Sequence, residues 1–463
     1  MFSSKIYKNR RAILRKEVKT GIILFLGNQE SAFNYPANTY SFRQDSSFSY
    51  FFGLDHPDLA GVIDLDNDKD YIFGNDVDID DIIWMGKQPT IKDQAESAGV
   101  ENTALLKDLA VLIKNAREKG RKIHYLPPYR GETMIWLSDL LDLHHTKLRE
   151  NASEELIKEV IKMRMAKDDL EIKEIEKMID VAWLMHTTAM KMAKPGVIEQ
   201  EIAGVIEGVA LSYAGPVSFP VILSINGQTL HNHNHGNTLV EGRMLVVDAG
   251  CESASHYASD ITRTVPVGGK FTQRQKEIYE IVLKANLAAT SAVKIGVPFR
   301  DIHLLAATEI VKGLKAAGIM KGDVEAAVNK GAHTLFFPHG LGHPLGLDVH
   351  DLEGMGETLV GYDNDTTRSK EFGLAFLRFG RKLQKNFVMT IEPGIYFIPE
   401  LIDIWKKENK LAEFINYEKV ETYLDFGGIR IEDDILVTEN GARVLGKPIP
   451  KTVAEIEAIM KGK

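Results

Sequence analysis

The residues best suited to chemistry are carboxylates at the ends of apolar segments. Asp248 closes Met244-Leu245-Val246-Val247 and is followed by Ala249-Gly250. Asp260 opens Asp260-Ile261-Thr262-Arg263-Thr264-Val265, and the polar interval Cys251 to His256 has the composition of a hairpin turn. Two adjacent antiparallel strands would bring Asp248 and Asp260 together. Paired buried carboxylates are costly unless a cation neutralises them, which favours a metal over a shared proton. Glu392 ends the apolar run Phe387 to Ile391 ahead of Pro393-Gly394. In Gly428-Ile429-Arg430-Ile431-Glu432 the alternation places Arg430 and Glu432 on one face of a strand. Between these acidic segments, Phe337 to Asp351 carries His339, His343 and His350 among glycines that let the backbone approach a ligand closely. Pro344 argues against a continuous helix there. Each residue alone has a bland alternative as a cap or turn residue. Together they offer four carboxylates and an imidazole. Oxygen-rich sites suit hard divalent cations such as Mn²⁺, and one histidine admits Zn²⁺, Co²⁺ or Fe²⁺. Five ligands suffice for two ions about 3.5 Å apart bridged by water or hydroxide, the arrangement of a two-metal hydrolase.

Such a site must be held by strands and helices of one domain. Gly21 to Leu26 and Leu59 to Leu65 have strand composition. Glu101 to Lys119 reads as an amphipathic helix, and Ser153 to Met192 is charged with a helical apolar period. The composition turns polar near Lys147 to Glu155, which sets the expected junction between domain 1–152 and domain 153–463. The second domain repeats itself faintly. Ala189, Lys194, Gly196, Val197 and Ile202 return as Ala289, Lys294, Gly296, Val297 and Ile302. Two copies of a helix, a Lys-x-Gly-Val turn and a second helix predict a pseudo-symmetric domain with sheet between the helices. The polar stretch Pro399 to Asp425 is expected as a surface excursion between two strands.

With 463 residues, 44% of them apolar, the chain can bury a large core. Its net charge of −9 argues against coating nucleic acid or an anionic membrane. No apolar run approaches the roughly 20 residues that span a bilayer. The basic stretch Met1 to Lys19 lacks the apolar core and cleavage site of a signal peptide. The single cysteine, Cys251, excludes an intrachain disulfide, fits a reducing cytoplasm, and reads as a packed residue rather than a nucleophile.

Five segments in order resemble the pita-bread metallopeptidases that cleave Xaa-Pro bonds, prolidase and aminopeptidase P. They are Asp248-Ala249-Gly250, Ser259-Asp260-Ile261-Thr262-Arg263-Thr264, His339-Gly340-Leu341-Gly342-His343, Thr390-Ile391-Glu392-Pro393-Gly394 and Arg430-Ile431-Glu432-Asp433-Asp434. Phe42-Arg43-Gln44-Asp45-Ser46 and Trp84-Met85-Gly86-Lys87 resemble the family's first domain. The resemblance implies an α+β fold: an N-terminal creatinase-like α/β domain, then a C-terminal pita-bread domain with a curved antiparallel sheet flanked by helices. It implies two divalent ions, with Asp248 binding one through both oxygens, Asp260 and Glu432 bridging, and His343 and Glu392 completing the other shell. Glu392 would carry the nucleophile's proton, and Arg430 would orient the carboxylates. His231, His339 and His350 would act around the metals, with His231 and His350 touching substrate. His233 and His235 compete with His231 for its role. The implied partner is a small peptide with proline second, and the implied assembly a homodimer or homotetramer in the cytoplasm. Leu377-Arg378-Phe379-Gly380-Arg381 resembles prolidase, with Arg378 matched to the arginine that pairs with the dipeptide carboxylate, whereas Phe42 to Ser46 is closer to aminopeptidase P. Dipeptides are slightly favoured over longer peptides. A metal-free binding or creatinase-like homologue is the alternative from another class, though all five ligand positions hold suitable residues. The hairpin from Asp248 to Asp260 is one residue longer than usual. A bulge or larger turn around Ser253 to His256 would absorb it, whereas a register shift would turn Asp260 away.

Overall fold

The computed structural model describes residues 1–462, which form two compact units, Met1–Met163 and the chain from Arg164 onward. In the first, β1 (Ile22–Leu26), β4 (Ala60–Asp64), β5 (Lys69–Gly74), β6 (Asn102–Leu105) and β7 (Ile123–His124) build one sheet in the order β6-β5-β4-β1-β7. A separate small hairpin joins β2 (Ala32–Tyr35) to β3 (Asn38–Thr39). β1 and β4 are buried along their whole length, as their unbroken apolar sequences require. Leu24, Val62, Phe73, Ile113 and Leu137 belong to the core against which helices Asp108–Glu118 and Gly131–Leu141 pack. The expectation of one helix over Glu101 to Lys119 is corrected here. Asn102 to Leu105 pair in parallel with β5, and the helix begins only at Asp108. The edge of β5 offers unpaired backbone groups, and satisfying them outweighs helix propensity.

The helical period from Ser153 to Met192 crosses from the first unit into the second. The helical run from Ser153 is two helices, Glu154–Met165 and Asp169–Met192. Asp168 caps the second through a capping box with Glu171, while the Lys167 N–H donates to Asn386 O at 2.9 Å. The sheets are antiparallel: β8 (Ile222–Ser224), β9 (Met244–Asp248) and β10 (Thr262–Pro266) in one; β11 (Val388–Ile391), β14 (Asp433–Thr438) and β15 (Gly441–Val444) in another; β12 (Gly394–Tyr396) with β13 (Gly428–Arg430) in a third.

The repeat has a structural counterpart in two helical hairpins, Asp169–Met192 with Glu199–Tyr213 and Gln273–Ala292 with Phe299–Ala316. Gly196 (φ +89°) and Gly296 (φ +85°) take the left-handed turn in each, which explains glycine at both places. Their N–H groups donate to Leu239 O and Leu383 O, both at 2.8 Å. Pro399 to Asp425 does connect β12 to β13, but it is anchored as well as exposed. Ile402, Trp405, Phe414 and Ile415 are buried, so its scattered apolar residues face inward. No helix among the described residues is long and apolar enough to cross a membrane.

Candidate active site and metal centre

The β9–β10 hairpin decides whether the two aspartates meet. Asp248 pairs with Thr262, and the pairing continues without a slip through Glu252 opposite Ala258. The extra residue is absorbed in the turn, where the Ser253 N–H donates to Tyr257 O at 3.0 Å and His256 adopts φ +66°. Asp260 therefore keeps the same face as Asp248. Gly250 is required for this: a Cβ there would strike the Ser259 carbonyl. Cys251 lies buried beside the turn, its thiol donating to Met178 O at 3.5 Å, and burial pushes its pKa up to about 12. It is packed and protonated.

The segment from His339 to Pro344 runs beside β11 rather than forming a helix. The Thr390 N–H donates to His343 O at 2.9 Å, the His343 N–H to Thr390 Oγ1 at 3.1 Å, and the Glu392 N–H to Leu341 O at 2.8 Å. These bonds fix His343 and Glu392 in mutual register. On the neighbouring strands, the Glu432 N–H donates to Thr262 O at 3.1 Å.

The result is a cavity of about 650 Å³ within the second unit. Asp248, Asp260, His343, Glu392, Arg430 and Glu432 line it, as do His231, His339, His350 and Arg378. All ten residues singled out from the sequence thus face one space. His233 also lines it, whereas His235 turns to Leu223 O at 3.0 Å.

Ligand atoms of Asp260, His343 and Glu432 all lie within 4.8 Å of one another. His343 Nε2 is 3.4 Å from Asp260 Oδ2 and 3.7 Å from Glu392 Oε1. Its Nδ1 lies 3.0 Å from Pro344 O, so the tautomer protonated at Nδ1 leaves the Nε2 lone pair aimed at the carboxylates. Burial holds this ring neutral, well below the usual histidine range. Asp248 Oδ1, Asp260 Oδ1 and Glu432 Oε1 are buried without a hydrogen-bond partner among the described residues. Burial first, and then the neighbouring acids, push Asp260 and Glu432 well above the ordinary carboxylate range; burial pushes Glu392 up to about 7 against the pull of Arg430. Unpartnered acid oxygens, a free imidazole lone pair and strained ionisation together are what a divalent cation relieves, so the donor set fits a metal.

Arg430 is the hub among these acids. Its Nη2 donates to Asp248 Oδ2 at 2.6 Å, Nη1 to Tyr396 OH at 2.8 Å, and Nε to Thr262 Oγ1 at 3.1 Å. The Thr262 hydroxyl in turn donates to Glu432 Oε2 at 2.6 Å. Tyr396 OH also lies 2.9 Å from His339 Nε2, while His339 Nδ1 is 2.8 Å from Gly340 O. Burial lowers His339 to about 3, so that ring is neutral.

Several residues that shape the site carried no role in the sequence reading. Thr262 and Tyr396 sit two residues from Asp260 and Gly394 on alternating strands, a spacing that hinted at a shared face. Asp434 accepts the Asp260 N–H at 3.0 Å and closes the motif that begins at Arg430. Asn286, buried in helix 273–292, donates from Nδ2 to Ile391 O at 3.0 Å and Ile431 O at 3.3 Å, the carbonyls just before Glu392 and Glu432. Nothing local in the sequence marks it.

A two-part α+β chain whose second part gathers carboxylates and a neutral histidine in one cavity belongs to the metal-dependent hydrolases. Comparison with known proteins narrows this: the chain is a member of metallopeptidase family M24, which residues 173–439 match, while residues 7–124 match the N-terminal domain of aminopeptidase P. Human Xaa-Pro dipeptidase is 34% identical over 466 residues, spanning 97% of this chain and 91% of the human protein. A probable Xaa-Pro aminopeptidase of Leptosphaeria maculans is 32% identical over 424 residues, 91% of this chain and 72% of that one. Escherichia coli aminopeptidase P, solved with the inhibitor Pro-Leu, superposes with a TM-score of 0.81 at 29% identity, covering 100% of this chain and 99% of its own. The expected fold, a creatinase-like N-terminal domain followed by a pita-bread domain, is the one these matches share.

Proposed function

We propose that this metallopeptidase hydrolyses the bond between an N-terminal residue and a following proline, with two Mn²⁺ ions and a slight preference for Xaa-Pro dipeptides. The observation that carries the metal reading is the gathering of ligand atoms of Asp260, His343 and Glu432 within 4.8 Å of one another, beside buried oxygens of Asp248, Asp260 and Glu432 that have no partner among the described residues. Asp248, Asp260, His343, Glu392 and Glu432 would hold the ions. Bound ions of this kind supply Lewis acidity to a carbonyl and make water a competent nucleophile at neutral pH.

The protein's own groups account for the rest. Glu392, poised at about 7, can hold a proton and return it. Its Oε2 is the candidate atom, since Oε1 faces His343 Nε2 and the Thr390 hydroxyl. Arg430 fixes Asp248 and, through Thr262, Glu432, so the acids are oriented before substrate arrives. His231 and His350 line the cavity, where a substrate carbonyl can meet an imidazole N–H. Burial lowers His231 below its usual range, which favours the neutral ring. Phe219, Ile398 and Leu401 give the cavity an apolar wall suited to a pyrrolidine ring. An Xaa-Pro bond has no N–H to recognise, so shape and carbonyl contacts must select it.

The dipeptide preference rests on Arg378, a cation in the cavity wall able to pair with a terminal carboxylate. A second reading, action on longer peptides in the manner of aminopeptidase P, is favoured by one observation: Arg378 already has Glu353 at 3.2 Å. Assaying Ala-Pro against Ala-Pro-Ala with Mn²⁺-loaded enzyme separates the two. Comparable efficiency on the tripeptide removes the strict dipeptidase. Metal analysis after Mn²⁺ reconstitution tests the centre itself, and fewer than one ion per chain would return the protein to the metal-free alternatives. The family resemblance supports a homodimer or homotetramer, which sedimentation of the purified protein would check.

A further inference from the structure

The cavity wall that carries Arg378 also carries an acid that the reaction does not use. Glu353 Oε2 lies 2.8 Å from His350 Nδ1 and 3.2 Å from Arg378 Nε. One carboxylate oxygen therefore faces two groups suited to receive a substrate's terminal carboxylate. Arg378 has a second acidic neighbour, Glu357 Oε1 at 4.0 Å, and Glu357 also pairs with Arg368 at 2.6 Å. Two arginines and two glutamates thus balance without any substrate. The Glu353 carboxyl is held below the usual carboxylate range, first by its bond to His350 and then by Arg378 against the effect of burial, so it is ionised at neutral pH.

A lone cation at the end of a cleft attracts an anion, whereas a compensated one attracts it only after its partner moves away. Two carboxylates sharing one guanidinium repel each other by well over the thermal energy at the effective dielectric of a protein surface. A peptide extended or amidated beyond its proline brings no such charge to this wall and pays no such penalty.

We propose that Glu353 is a specificity-determining residue. Its carboxylate occupies the place of a substrate's terminal carboxylate on Arg378 and His350, and so keeps slight the advantage that Arg378 gives free dipeptides over Xaa-Pro peptides whose proline carboxyl is extended or blocked. This rests on the Xaa-Pro peptidase reading of the cavity. The competing account is an ion pair that only stiffens the turn from His350 to Glu353. Loss of stiffness would affect all substrates alike, whereas loss of an internal competitor affects only the charged one.

The test compares Ala-Pro with Ala-Pro-NH₂, which differ in terminal charge, on the Mn²⁺-loaded full-length enzyme. Glu353→Gln should raise the ratio of KM for the amide to KM for the free dipeptide by about tenfold over wild type, through KM and not kcat. Because both substrates are read on one preparation, partial unfolding cancels from the ratio. In an Arg378→Met background the same substitution should move the ratio by less than about twofold, since the shared partner is gone. An unmoved ratio in Glu353→Gln, or an equal rise without Arg378, overturns the proposal while leaving the peptidase reading intact. A wild type that cleaves neither substrate overturns both.

Discussion

Arg430 and the acids around it set the energetics of the site. The guanidinium lends donors to Asp248, Thr262 and Tyr396, and through Thr262 it steadies Glu432. A methionine at this position would fill similar volume and donate nothing. Asp248 Oδ2 would then join Oδ1 as a buried oxygen without a donor, and breaking a buried charge pair from one side costs about 3–5 kcal/mol. Arg430→Met should therefore lower the unfolding free energy of the metal-free protein by about that amount in urea titrations. A loss below about 1 kcal/mol would mean that Arg430 does not organise the acids. The histidines behave differently. His339 is tied to Tyr396 and Gly340, while His350 contacts Glu353 and meets His343 edge-on with ring centroids 4.1 Å apart. Their types and spacing were legible in the sequence; these partners were not.

Strands and helices carry the site residues to one another, and most of them were readable. Acid-terminated apolar runs became β9 and β11, and the alternation around Arg430 became β13 with its continuation to Glu432. The hairpin that looked vulnerable to a register slip keeps its pairing because a turn absorbs an added residue more cheaply than a ladder does. The helix expected over Glu101 to Lys119 failed because its first residues meet an open sheet edge, which periodicity along the chain does not register. Helix 273–292 also does something its sequence does not announce. Asn286 holds the carbonyls preceding Glu392 and Glu432 on one amide, and its Oδ1 accepts from Lys451 Nζ at 2.9 Å. Asn286→Leu should weaken Mn²⁺ binding about 10–100-fold by calorimetry, as loss of groups that orient ligands commonly does. Unaltered affinity in a folded variant would show that the sheet alone sets the spacing of the two glutamates.

Across the second unit, the acids make folding and metal binding interdependent. Asp260, Glu432 and Asp434 sit well above the carboxylate range, pushed there first by burial, and Glu392 is raised from 4.5 to about 7. A carboxyl whose folded pKa exceeds its unfolded one favours the fold below the unfolded value, and that contribution is lost as pH climbs through the folded value. Chelator-treated protein should thus lose thermal stability between about pH 5 and about pH 8, with the Glu392 share spent by about 7. Mn²⁺ at the upper pH should restore the Tm by mass action, since it binds the ionised acids of the folded state. A Tm of the chelated protein that is flat or rising over this range would contradict the raised values. The sequence by itself marked the family resemblance and ten of the residues that line the cavity, because apolar periodicity and acid-ended strands are written locally along the chain. Only the tertiary structure decided that Arg378 is shared with Glu353, that Thr262 relays Arg430 to Glu432, and that Asn286 spans two strands. Contacts such as Arg430 with Asp248 join positions 182 residues apart. Burial and partner, which set charge state and specificity, exist only once the chain has closed on itself.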